Sequence, residues 1–454
     1  MSPAYRIPPG NVSLWLGLLV MLLACVEAYE KISDKTLTEL LRPNNDFDIH
    51  NGALLSPILR TRVPGTPGST AVLNHFADFF RTTLPKWTIE VHNSTATTPL
   101  SKGKEVPFRN FIATRDPPWA SVGDVGRLTL VAHYDSKIEP EGFIGAIDSA
   151  APCAIIMHAM RSIDAALEKK WSALKEQGLY DYLDEERGLQ VIFLDGEEAF
   201  QDWTATDSLY GARALATHWD DQVYPAMSEF KGPLSSISLF VLLDLLGSKS
   251  PTIQSWYETT HWAYQSLGEL EKRFKTLKQF KSASANPWFV DTKKDGHKLS
   301  PMGGIQDDHL PFLAKGVEIL HLIDFASFKG FPPVWHTIDD DGEHLDLDAV
   351  EDWSMLVTAF AAEWMELEGY FDHPSAPSPR SDDESAELEA LRMDRKTEFF
   401  FTFCYIPNAF IHGPMAYILT LEIWTSIFSF LASCTDFDSV SPRQHRSSTK
   451  PMKN

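Results

Sequence analysis

The chain has little cysteine and few positive charges. Only 4 of its 454 residues are cysteine, and their spacing matches neither a zinc knuckle nor a disulfide framework. Lysine and arginine number 40 against 62 acidic residues, which gives a formal net charge of -22. A nucleic-acid-binding protein needs a basic surface to neutralise phosphates, so that class is excluded. Hydrophobic residues make up 44% of the chain, which is sufficient for a sizeable core.

The N-terminal apolar run is too short for an ordinary membrane span, which needs about 20 apolar residues. Arg6 precedes the run Leu14–Cys25, and Val26-Glu27-Ala28 then places small residues at the cleavage-determining positions. This layout predicts a secretory signal peptide over residues 1–28, with an uncleaved anchor as the alternative. The glycosylation sequon Asn93-Ser94-Thr95 fits a secreted protein or one held in the ER or Golgi lumen.

Residues 31–371 have the pattern of a single α/β domain. Short apolar runs rich in β-branched residues alternate with longer amphipathic stretches, which predicts an open, mostly parallel twisted sheet with helices on both faces. The clearest predicted strands are Leu128–Ala132, Leu189–Leu194, Ile237–Leu243 and Glu318–Ile323. Apolar residues at helical spacing predict helices at Ser69–Thr83, Ala150–Leu174, Leu209–His218 and Leu347–Leu367.

The composition changes after this domain. Residues 372–398 are rich in proline, serine and acids, as in a polar linker. Residues 399–454 form a hydrophobic and then basic tail. Within it, Met415–Ser433 has the length of a membrane span, but Glu422 near its middle costs about 2.5–3.5 kcal/mol on insertion. We interpret the tail either as a marginal membrane anchor or as a non-native extension.

Residues that can bind a metal or carry a proton stand at the ends of the predicted strands, just before a helix, or late in the domain. In an open α/β sheet, ligand sites gather beyond the carboxyl ends of the strands. Converging there, these side chains would supply the nitrogen and oxygen ligands that zinc binds at about 2.0–2.2 Å. The residues are His133, Asp135, Asp148, Glu197, Glu198, Asp244 and His336.

Each of these residues also has a simpler structural interpretation. Asp148 could be only a helix N-cap, and His133 and Asp135 could bond loop amides. The adjacent Glu197 and Glu198 are harder to explain in this way, because neighbouring carboxylates repel unless a positive group or a shared proton compensates. A metal with one of them as ligand and the other as proton carrier accounts for the pair.

In order and context, these residues resemble the M28-type zinc aminopeptidase-like superfamily and, within it, the animal-type glutaminyl cyclases. The resemblance extends from about residue 40 to residue 371 and includes Arg62–Ser69. Its other motifs are His133–Lys137, Asp148–Ala154, Asp195–Phe200, Asp207–Gly211, Gln306–Phe312 and Val334–Asp340.

The resemblance implies an enzyme that closes the N-terminal glutamine of a peptide into pyroglutamate and releases ammonia. It implies one zinc ion per domain, held by Asp148, Glu198 and His336, with Glu197 as the general acid and base. The expected partners are peptides or proteins with N-terminal glutamine, and the expected state is a monomer.

The resemblance also assigns supporting residues around the zinc. Asp244 and Asp307 would form a hydrogen-bonded acid network near the metal. The residues expected to line the substrate pocket are Trp203, Gln306, Phe331 and Trp335.

The sequence departs from the family pattern in three places. Ala132 stands where many animal cyclases have a cysteine, so the disulfide partner of Cys153 is missing. The loop Asp324–Gly330 is longer than the family pattern, which leaves the placement of Phe331 open. The hydrophobic tail has no counterpart in the family.

Two rival functions remain open at this point. A secreted two-zinc aminopeptidase would use His133, Asp148 and Asp244 for one ion. The other ion would use Asp148, Glu198 and His336. Because all five residues are present, ligand identity alone does not separate a cyclase from a peptidase. The non-enzymatic rival is a receptor-like ectodomain on this fold. Such relatives usually lose metal-binding residues, whereas all five are present here.

Overall fold

The computed structural model describes residues 31–180, 185–282, 286–299 and 304–372. The predicted signal peptide and tail, and the predicted linker from residue 373 onward, lie outside these residues. The strands are β1 (Thr88–Thr97), β2 (Glu105–Arg115), β3 (Val125–His133), β4 (Glu186–Leu194), β5 (Ile237–Asp244) and β6 (Ile319–Ile323). The helices are α1 (Asp34–Glu39), α2 (Pro67–Thr83), α3 (Ala151–Glu176), α4 (Tyr210–Asp220), α5 (His261–Thr276), α6 (Leu310–Leu313) and α7 (Leu347–Trp364).

The strands form one sheet in the order β1-β2-β4-β3-β5-β6. Neighbouring strands in the β4-β3-β5-β6 portion are parallel, whereas β2 runs antiparallel to β4 and β1 antiparallel to β2. This arrangement confirms the predicted open, mostly parallel sheet. The antiparallel strands β1 and β2 were not predicted from the sequence. Along β1, exposed and half-buried residues follow one another without an apolar run.

Helices cover both faces of the sheet, as predicted. All nine residues of β3 are buried, which is typical of a parallel strand enclosed on both sides. Because successive strand residues point to opposite faces, Leu130 joins the larger core with α2, α3, α5 and α7. Val131 joins a second core with α4 and α6 on the other face.

Local sequence explains where the helices begin. Helix α2 starts after Thr66, whose hydroxyl accepts a hydrogen bond from the Ser69 amide, and Pro67 is its first residue. Helix α7 starts after Asp346, whose carboxylate accepts from the Ala349 amide. Helix α7 packs against α3 on the larger core. None of the helices in the described part of the chain combines the length and hydropathy of a membrane span.

Candidate metal centre and substrate cavity

The candidate site lies at the carboxyl edge of the parallel strands, where β3 ends at His133 and β5 ends at Asp244. Asp135 follows β3, and its carboxylate accepts hydrogen bonds from the amides of Glu197 (3.0 Å) and Glu198 (3.2 Å) after β4. Asp135 thus bonds loop amides, which is the structural role considered for it from the sequence. The segment after β3 thereby fixes the position of Glu197 and Glu198, which follow the neighbouring strand β4.

Three atoms converge at the first candidate metal site, which we call the open triad: Asp148 Oδ2, Glu198 Oε1 and His336 Nε2. The histidine nitrogen lies 3.4 Å from the Asp148 oxygen and 3.6 Å from the Glu198 oxygen. Both carboxylate oxygens are buried and accept no hydrogen bond from the described residues. Ligands of a tetrahedral zinc bound at 2.0–2.2 Å stand about 3.3–3.6 Å apart. The open triad therefore has donor atoms that suit zinc, and the His336 nitrogen stands from both oxygens at the separation expected of two zinc ligands.

The electrostatics of the open triad favour positive charge at this point. Burial alone would lower the pKa of His336, but the carboxylates of Asp148 and Glu198 raise it to about 9. Burial alone would raise the pKa of Asp148, yet His133 and His336 lower it below its usual value. The site thus stabilises a cation and a carboxylate side by side.

A second group, which we call the closed triad, consists of His133, Asp148 and Asp244, all buried. His133 Nε2 lies 2.9 Å from Asp148 Oδ1 and 3.5 Å from Asp244 Oδ1. The Ser149 hydroxyl donates to Asp244 Oδ1, which also accepts the amide hydrogen of Leu245 at 2.9 Å. These oxygens are occupied by hydrogen bonds from the protein. The bond to His133 also shows that the Asp148 side chain does more than cap a helix.

A third buried group lies beyond the closed triad and contains Asp307, His309 and His321. His321 Nε2 lies 2.7 Å from Asp307 Oδ2, and the Tyr257 hydroxyl lies 2.7 Å from His309 Nε2. Among the described residues, no hydrogen bond joins Asp307 directly to Asp244. Burial raises the pKa of Asp307 well above its usual value, and the charge of Asp244 raises it further. The two acids are thus electrostatic neighbours with separate hydrogen-bond partners.

Glu197 lies beside the open triad and faces the cavity described next. Burial raises its pKa well above the usual glutamate value. His133 opposes this shift, while the charges of Glu198 and Asp307 add to it. A carboxyl group in this environment readily holds a proton, which suits a general acid and base. Lys137 also reaches the site, with its Nζ 3.4 Å from Glu198 Oε2.

A cavity of about 420 Å³ opens over the open triad and Glu197. This volume is in the range of small-molecule sites. The four predicted pocket residues Trp203, Gln306, Phe331 and Trp335 all line it. The Trp203 indole donates a hydrogen bond to Gln306 Oε1 at 2.8 Å. Phe331 stacks on Trp335, which in turn stacks on His336, with ring centroids 3.9 Å apart in each pair.

Sequence reasoning assigned no role to Ser149, Lys137 or His321. Ser149 and Lys137 lie inside motifs that were recognised, so their position was a usable signal. His321 was detectable as the single polar residue in the otherwise apolar strand β6.

Cys153 at the start of α3 is a free, buried thiol, as expected from the alanine at position 132. Its Sγ donates to the carbonyl oxygen of His133 at 3.3 Å. Burial raises the pKa of the thiol to about 12.

The model of peptidase family M28 matches residues 112–361, which is more than half of the chain. The match begins in β2 and ends in α7, so it spans the parallel strands and every residue of the two triads.

Proteins with closely related sequences are named as cyclotransferases. The glutaminyl-peptide cyclotransferase-like protein of Bos taurus is 38% identical over 316 residues, covering 69% of this chain and 74% of that protein. The glutaminyl-peptide cyclotransferase of Bos taurus is 35% identical over 320 residues, covering 69% and 81%. The crystal structure of Macrostomum lignano glutaminyl cyclase aligns with a TM-score of 0.61 and 28% identity, covering 76% of this chain and 97% of that one. These findings confirm the resemblance predicted from the motifs.

Proposed function

The chain belongs to peptidase family M28 and, within it, to the glutaminyl-peptide cyclotransferases, and we propose that it converts the N-terminal glutamine of peptides to pyroglutamate. The observation that carries this proposal is the cavity, in which the open triad, Glu197 and two indoles face one small volume. Such a space admits a short, flat, uncharged amide.

We propose that Asp148, Glu198 and His336 hold one zinc ion. The support is the pair of buried carboxylate oxygens without hydrogen-bond partners, and the spacing of the three donor atoms. A bound zinc would act as a Lewis acid toward the γ-carboxamide oxygen of the glutamine.

The protein's own part in the reaction is to orient the substrate and to move protons. The substrate's α-amine attacks its γ-carbonyl carbon, so the nucleophile is already held next to the electrophile. As the new N–C bond forms, Glu197 accepts a proton from the amine. Glu197 then delivers that proton to the amide nitrogen as the old C–N bond breaks and ammonia leaves. A positioned acid and base of this kind contributes about 10²–10⁴-fold.

The surroundings of Glu197 suit both halves of this proton transfer. Burial and the nearby negative charge of Asp307 favour its protonated form once it has accepted the proton. Asp244 lines the same cavity and adds to the negative field. Trp203 and Trp335 wall the cavity and limit the entry of water, which would otherwise hydrolyse the amide to glutamate.

The closed triad argues for one ion rather than the two of an aminopeptidase. A second metal would need lone pairs of His133, Asp148 and Asp244, but these atoms already bond to one another, to Ser149 and to the Leu245 amide. These hydrogen bonds would have to break before a second cation could bind, which favours one ion.

We place the catalytic domain at residues 31–371, behind a signal peptide of residues 1–28 that directs it to the secretory pathway. We expect the enzyme to be a monomer. The polar linker and hydrophobic tail carry no site residue, and the tail would provide any membrane association. Deleting everything after Phe371 should therefore leave a folded, active enzyme, and a chain that no longer folds would contradict these boundaries.

A direct test uses the purified protein and a peptide with N-terminal glutamine, followed by mass spectrometry. Loss of one ammonia from the intact peptide supports the cyclase. Release of a free amino acid would instead identify an aminopeptidase. A chelator should abolish turnover and added zinc should restore it, whereas full activity after complete metal removal would contradict the zinc proposal.

A further inference from the structure

Arg62 carries a buried guanidinium group that bonds only to backbone carbonyls. The side chain is fully buried, and each of its five N–H groups meets a different carbonyl oxygen among the described residues. Nε donates to the Tyr134 carbonyl at 2.5 Å, and Nη1 donates to the carbonyls of Arg60 (3.3 Å) and Ile144. Nη2 donates to the carbonyls of Gly145 (2.9 Å) and Asp148 (3.3 Å). The arginine thus has its full set of hydrogen bonds.

No carboxylate forms an ion pair with Arg62 in the described part of the chain. The charges of Asp135, Asp148 and Asp340 act on Arg62 only from longer range, so its hydrogen bonds must offset most of the cost of burying the charge. The planar fork of arginine can bond several fixed acceptors at once, which the single ammonium group of lysine cannot do. The arrangement of the five carbonyls is therefore what this residue fixes.

Four of those carbonyls belong to the two segments that build the candidate site. Tyr134 lies between His133 and Asp135 at the end of β3. Ile144, Gly145 and Asp148 belong to the turn that carries Asp148, a residue of both triads. Arg62 therefore connects the end of β3 to this turn through a single side chain.

The same turn is held from the other side by Asp340. The Ile147 amide donates to Asp340 Oδ1 at 2.8 Å, and the Ala146 amide donates to the Asp340 carbonyl at 3.1 Å. Asp340 stands four residues after His336 in the chain. Arg62 thus takes the carbonyls of the turn and Asp340 takes its amides, so the backbone before Asp148 has little freedom to rotate.

We propose that Arg62 is a positioning residue that fixes the Asp148 turn in the geometry required for metal binding. The inference rests on the proposed zinc site. Loss of the Arg62 guanidinium leaves several buried carbonyl oxygens without their hydrogen-bond donor. The turn can then relax and move Asp148 Oδ2 away from Glu198 and His336. Residues that orient a metal ligand in this way typically change metal affinity by about 10–100-fold when they are replaced.

The test compares Arg62→Lys with Arg127→Lys in the otherwise unchanged protein. Arg127 is a matched control, because it is also a buried arginine but lies near the opposite end of β3 and bonds to Asp116 and Ser236. Zinc affinity is measured by competition with a chelator, and the visible spectrum of the cobalt-substituted protein reports ligand geometry. We expect Arg62→Lys to weaken zinc binding about 10–100-fold and to alter the cobalt spectrum. Arg127→Lys should change neither.

Equal zinc affinities and cobalt spectra in the two variants would overturn the inference. If Arg62→Lys does not fold, Asp340→Ala tests the same turn by removing the carboxylate that accepts from the Ile147 amide. A loss of zinc affinity in that variant supports the inference, and wild-type affinity overturns it. These measurements use no peptide, so they are independent of the cyclisation assay. A wild-type protein that fails to cyclise glutamine would contradict the proposed function but would leave the role of Arg62 to be decided by the zinc measurements.

Discussion

Two triads share Asp148 but differ in how their lone pairs are used. In the open triad, Asp148 Oδ2 and Glu198 Oε1 are buried without hydrogen-bond partners, and His336 stands at the spacing of a zinc ligand. In the closed triad, His133 and Ser149 already bond to the carboxylates. The residue types are those of metal ligands in both cases. What separates the two triads is whether their carboxylate oxygens already accept hydrogen bonds within the protein.

Removing one carboxylate from each triad should give the largest contrast. Glu198→Gln takes a charged ligand from the open triad, so we expect zinc affinity to fall by more than the roughly 10–100-fold typical of residues outside the ligand shell. Asp244→Asn keeps a carbonyl oxygen that can accept from Ser149, so zinc should stay bound. Chelator competition measures the zinc affinity of both variants. Comparable losses of zinc affinity in the two would contradict the distinction between the triads.

The next effect concerns turnover rather than metal. Glu197→Gln removes the proton carrier but no ligand, so zinc content should be unchanged while kcat falls by about 10²–10⁴-fold. Metal analysis and steady-state kinetics on one preparation separate the two quantities. Loss of zinc from this variant would mean that the roles of Glu197 and Glu198 had been exchanged.

His158 in α3 provides a contrast outside both triads, because its ring bonds to a carbonyl and a guanidinium instead of carboxylates. Its Nε2 lies 3.0 Å from the Leu41 carbonyl oxygen and its Nδ1 lies 3.1 Å from Arg161 Nη2. Burial, with the charge of Arg161, lowers the pKa of His158 from 6.5 to about 4. The unfolded chain therefore binds a proton that the folded chain excludes between these values.

This difference in proton binding predicts that stability falls as pH drops from 6.5 toward 4. The contribution of His158 to the free energy of unfolding should decrease by on the order of 3 kcal/mol across that window. His158→Gln should show a correspondingly shallower decline in denaturant melts. Identical pH dependence in the two proteins would show that His158 does not stay neutral in the fold.

The smallest expected effect lies at the cavity wall. Trp203→Phe keeps an aromatic ring but removes the indole donor to Gln306, and a neutral hydrogen bond is worth about 0.5–1.5 kcal/mol. We expect KM for a glutamine peptide to rise about 2- to 10-fold with zinc affinity unchanged. A change in zinc affinity would show that the wall and the open triad are coupled.

The sequence predicted the central fold well because its parallel strands are buried on both faces. Such strands are continuous apolar runs, so β3, β4, β5 and β6 were placed to within a few residues. Strand β1 was missed because its residues are at most half-buried and form no such run. Helix α5 is amphipathic, yet it too was not predicted.

The ligand residues could be proposed from sequence because each directly follows a strand or belongs to a recognised motif. The contacts that distinguish the two triads could not be, since they depend on side chains far apart in the chain. Ser149 meets Asp244 across 95 residues, and Arg62 meets the Asp148 carbonyl across 86. Only the folded arrangement shows which lone pairs remain open.

The buried thiol of Cys153 has a practical consequence for studying the enzyme in solution. Between residues 31 and 371 it is the only cysteine in the sequence, and it is fully enclosed with a raised pKa, so it is a poor nucleophile toward alkylating reagents. In a protein of residues 31–371, a cysteine introduced on the surface should therefore react selectively. Fluorophores or spin labels placed on either side of the cavity would then report distances across it without any need to remove the native thiol.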